Sequence, residues 1–64
     1  MDGVALVHEY AVLKTNSVLN MEWMTDAEKK RVISGVQRAD ELCREGLFTI
    51  DESMKFISEA MEWI

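Results

Sequence analysis

Four groups of residues in this chain are of types that could do chemistry. Asp51 and Glu52 are an adjacent carboxylate pair, Cys43 is the single thiol, His8 is the single imidazole, and Lys29, Lys30 and Arg31 are three cations in a row. Paired carboxylates serve acid–base catalysis or divalent cations. On a helix, however, neighbours point roughly 100° apart, so Asp51 and Glu52 do not share a site. In a first helical turn two acids complement the positive end of the dipole instead. Cys43 falls within an apolar stripe near a helix C-terminus, where the dipole does not favour a thiolate. His8 has Glu9 and Tyr10 nearby but no second histidine and no spaced serine–acid set. No glycine-rich loop is present to cradle a phosphate. The residue stock therefore predicts a non-enzymatic protein with no catalytic, cofactor or metal site.

Length and charge narrow the alternatives. The 64 residues are 48% hydrophobic and 30% charged, with three glycines and no proline, which is the composition of one small folded domain over 1–64. A chain of this size buries only about 60% of its unfolded surface. One cysteine excludes an internal disulfide, and too few Cys and His are present for structural zinc, so oligomerisation is the expected support. The net charge is −5, divided as −2 over 1–24, zero over 25–48 and −3 over 49–64. Acidity disfavours nucleic-acid binding, and the Lys29–Arg31 cluster reads as a solvated face. No run approaches the roughly 20 apolar residues of a membrane span. A lone thiol without a secretion signal fits a cytoplasmic protein.

The elements that must position any site are helical. Thr25 and Glu28 have capping-box spacing, and Val32, Val36, Ala39 and Cys43 recur at helical period, with Ile33 and Leu42 on the flanks. This predicts a helix over 26–45, ended by Gly46 as a left-handed cap, with Leu47 in Schellman contact with Leu42. Thr49 and Glu52 form a second capping box and open a helix over 50–63, whose stripe is Ile50, Met54, Ile57, Met61 and Ile64. The N-terminal third is less regular. Leu6, Tyr10, Leu13, Met21 and Met24 lie near one face with Val7 at its border, while Val4, Val12, Val18 and Leu19 lie off it. The reading is a helix near 3–14, a break around 15–17 where Asn16 or Ser17 serves as a cap, and a helical turn to about 23. A buried strand over 4–13 is the alternative. The fold class is all-α: an antiparallel helical hairpin with an N-terminal helical segment, dimerised by helix packing.

Phe56 and Trp63 stand beside the stripe of the last helix, with Ala60 joining the two rows. That apolar face is wider than one neighbouring helix buries. It is either the core of a homodimer or a set of aromatic anchors for the groove of a larger protein, with Glu52, Glu59 and Glu62 as an acidic rim that selects a basic partner. Trp23 and Met24 could complete either surface.

The stretch "ELCREGLFTIDESMKFI", residues 41 to 57, is similar in outline to SHOCT-type hairpins and to the helical hook of SinI-type antirepressors: helix, Gly46, two apolar residues, Thr49, an acidic pair, helix. The first 24 residues match no family pattern, and no functional residue is carried over. The resemblance implies a small microbial or phage regulator. The expected function is a protein-binding regulator of inhibitor, antirepressor or antitoxin type. The alternatives are a subunit completing a larger helical bundle and an acidic mimic of DNA.

Overall fold

In the computed structural model, which describes residues 2–63 without the side chains of Met61 and Trp63, the chain is all-α. It consists of α1 (Gly3–Leu19), α2 (Asp26–Arg44) and α3 (Ile50–Ser58), followed by a 3-10 turn over Ala60–Trp63. The three helices pack pairwise on one another, and the 3-10 turn packs on α2. Met1, Ile64 and the Met61 and Trp63 side chains, on which part of the expected α3 stripe rests, lie outside the described residues.

Local chemistry fixes the α2–α3 joint as its sequence predicts. Thr25 Oγ1 accepts the Glu28 N–H at 3.1 Å, and Glu28 Oε1 accepts the Thr25 N–H at 2.8 Å. The same reciprocal pair joins Thr49 and Glu52 at 3.1 and 2.9 Å. Between them Gly46 adopts φ 78°, in the left-handed region. The Leu47 N–H donates to Leu42 O at 2.9 Å and the Gly46 N–H to Cys43 O at 3.1 Å, the two bonds of a Schellman motif. Its apolar component is weak, since Leu47 is 68% exposed.

The N-terminal segment differs from expectation. It is one unbroken helix through 15–17, neither interrupted there nor a strand. Thr15, Asn16 and Ser17 each lower helix propensity by only about 0.5 kcal/mol. Full burial of Val18 contributes roughly 1.5–3 kcal/mol and outweighs that loss. The cap is at the start of the helix, where Asp2 Oδ1 accepts the Val4 N–H at 3.1 Å. At the far end Asn20 Nδ2 donates to Asn16 O at 3.0 Å, and Lys29 Nζ reaches from α2 to Leu19 O at 2.9 Å. An ammonium there also suits the negative end of the α1 dipole.

Two helices keep only part of their expected faces: Tyr10, Met21, Met24, Met54 and Ile57 pack in or on the core, but other expected residues do not. In α1 the buried residues are Val7, Ala11 and Val18, while Leu6 and Leu13 face outward at 42% and 66% exposure. In α3 Ser53 and Ile57 are buried, Met54 of the expected stripe packs on the core beside them, and Ile50 is exposed; Ala60 of the 3-10 turn is buried as well. Ser53 occupies the core because its hydroxyl donates to Ala39 O of α2 at 3.2 Å, so its burial leaves no donor unpaired. α3 also ends its regular winding early. The Ser58 hydroxyl binds Lys55 O at 2.7 Å, a local bond that competes with helix continuation, and the 3-10 turn follows. The stripe of α2 behaves as read: Val32, Val36, Ala39 and Cys43 are all buried.

Candidate functional site: two surfaces and a polar bridge

The hairpin positions a small aromatic groove. Phe48 lies in the α2–α3 connection and Phe56 on α3, with ring centroids 5.9 Å apart in an edge-to-face arrangement. Glu52, Lys55 and Glu59 complete the lining of an open groove of about 300 Å³. One oxygen of Glu52 is engaged in the capping box. The backbone and side-chain hydrogen bonds from Thr49 hold that carboxyl below the usual glutamate range. Glu59 and Glu62 are exposed. Phe48 is the groove residue that sequence reading misses. Its signal is its position eight residues before Phe56, across a joint that folds the chain back.

The remaining expected interface residues are divided between surface and core. Trp23 is 65% exposed in the α1–α2 turn. Met24 and Ala60 belong to the chain's own core, at 5% and 0% exposure. The larger exposed apolar area is on α1. Leu6, Val12, Leu13 and Leu19 all face solvent, although the inner face of the same helix is packed against α2 and α3.

A polar cluster bridges α1 and α2. Asp40 is 8% exposed yet ionisable. Its Oδ2 lies 2.8 Å from His8 Nδ1 and 3.1 Å from an Arg44 guanidinium nitrogen, which is itself 2.8 Å from His8 Nδ1. A carboxylate only accepts, so the imidazole proton belongs on Nδ1, directed at Asp40, and Arg44 donates to the same oxygen. Asp40 Oδ1 is buried without a hydrogen-bond partner among the described residues. Asp40 sits four residues after Val36 and three before Cys43, so an acid on the apolar stripe with Arg44 one turn on was the legible sign. The cluster lines a groove of about 340 Å³ along α1 and α2, also walled by Thr15, Asn16 and Gln37. His8, Asp40 and Arg44 thus tie α1 to α2 across this groove.

Among the described residues, no group of three or more His, Cys, Asp and Glu side chains is placed to hold a metal ion, and no helix is long and apolar enough to cross a membrane. Cys43 is a buried free thiol. Comparison with protein-family models, curated proteins and solved structures returns no match.

Proposed function

We propose that this chain is a non-enzymatic protein-binding regulator that acts by occupying a surface of a larger protein, in the manner of an inhibitor, antirepressor or antitoxin-like antagonist. The observation that carries this reading is the Phe48–Phe56 groove with Glu52 and Glu59 on its rim. Aromatic faces attract cations through their quadrupole, and carboxylates beside them add charge complementarity. The groove is therefore suited to a lysine or arginine presented by a partner. Residues 49–62 contribute Asp51, Glu52, Glu59 and Glu62 against Lys55, a local charge of −3 that steers a basic segment toward it.

The reading as an assembly subunit draws on a different observation, the apolar outer face of α1. A mimic of DNA is less well supported. The exposed side of α2 carries Lys30, Arg31, Arg38 and Arg44, which interrupt any continuous acidic array. Affinity capture from a lysate of the source cells tests the proposal, with wild type compared with Phe56→Ala and Glu59→Lys. A protein retained by wild type, lost from both variants and weakened by added salt supports the groove. Equal retention by all three, or retention indifferent to salt, refutes it.

A further inference from the structure

The outer face of α1 is apolar in a chain that is otherwise strongly charged. Leu6, Val12, Leu13 and Leu19 are 42%, 44%, 66% and 52% exposed. Among the exposed Asp, Glu, Lys and Arg residues of the chain, Glu9 is the one that belongs to this helix. From these exposures the four side chains present on the order of 400 Å² of apolar surface. With Ala5, Glu9 and Asn16 also exposed between them, the face approaches the roughly 600 Å² per partner at which specific interfaces begin.

We infer that this face is the contact between two copies of the chain, packed as an antiparallel α1–α1 pair. Charge decides which face two copies can share. At −5 per chain two copies repel, and a two-fold contact sets each patch against itself. Pairing through α3 would oppose Asp51, Glu52, Glu59 and Glu62 to their own images, whereas the α1 face brings almost no charge into contact. Register follows from the sequence. An axis near Val12 and Leu13 puts Leu6 in one layer with Leu19 of the second copy. The same axis sets Glu9 level with Asn16 of the second copy, so the carboxylate meets an amide N–H donor rather than another carboxylate. A polar pair of this kind specifies register in helix dimers. The inference is independent of the aromatic groove on α3, which stays open in such a dimer.

Light scattering on the purified chain, at concentrations up to about 100 μM, tests it. That range suffices for a Kd of ~10 μM. The expected mass is twice the 7.4 kDa of the chain, halved by Leu13→Glu and unchanged by Phe56→Ala. Leu13 is exposed, so the variant keeps its helical circular dichroism in the monomer. In a second measurement, oxidised Leu13→Cys forms a covalent dimer across the axis, while Leu47→Cys, equally exposed, does not. A monomeric wild type, a dimer that survives Leu13→Glu, or one dissolved by Phe56→Ala overturns the inference.

Discussion

Gly46→Ala isolates one physical term. The residue has φ 78°, and a Cβ added there would meet no atom within 4 Å. Packing therefore does not change, and only backbone strain and unfolded-state entropy remain. An L-residue in the left-handed region costs roughly 1–2 kcal/mol. Against this, alanine restricts the unfolded chain and returns about 0.4–1 kcal/mol. The difference, taken at mid-range, is a destabilisation of about 0.8 kcal/mol. For a domain of this length that lowers Tm by about 5 °C. Urea unfolding followed by circular dichroism at one fixed protein concentration measures it, and the midpoint should fall with the slope unchanged. Gly46→Asn provides the control, because asparagine tolerates this conformation and should lose no more than a few tenths of a kcal/mol. An alanine variant as stable as wild type, or an asparagine variant that loses as much as alanine, would refute the strain account of the joint.

Ile57 and Phe56 are adjacent and should separate stability from recognition. Ile57→Ala removes a fully buried side chain and should cost about 2–5 kcal/mol in urea unfolding, whereas Phe56→Ala, at the surface, should cost about 1 kcal/mol while abolishing capture of a basic partner. Acid should weaken both capping boxes. Hydrogen bonds from Thr25 and Thr49 hold the Glu28 and Glu52 carboxyls below their ordinary value of 4.5. Their stabilisation is thus fully present above that value and is lost as pH falls through the lowered ones. Unfolding measured between pH 7 and pH 2.5 should show a smaller decline in the Glu28→Gln, Glu52→Gln double variant than in wild type; an identical decline would place the acid sensitivity elsewhere.

The hairpin and its joint were legible in the residues because their determinants are near neighbours. Thr25 with Glu28, Thr49 with Glu52, and Gly46 after a periodic stripe specify hydrogen bonds that close within five residues. The stripe of α2 was legible as well, since its other side is almost wholly polar and only one face can be buried. The aromatic groove was half visible: Phe56 and the glutamates stand out in sequence, but Phe48 joins them only when the chain turns back.

Tertiary structure alone decided the rest. α1 has apolar residues on all sides, so no periodicity selects Val7, Ala11 and Val18 over Leu6, Val12 and Leu13. That choice belongs to α2 and α3, which receive the smaller residues closely and leave the leucines outside. The same packing carries α1 through 15–17, against local propensity. It also turns α3 so that a serine enters the core, where the Ala39 carbonyl lies within reach. It brings His8 to Asp40 and Arg44 from 32 and 36 residues away. Local hydrogen-bond geometry is written along the chain. Which of two apolar faces is buried depends on what the other helices place against it.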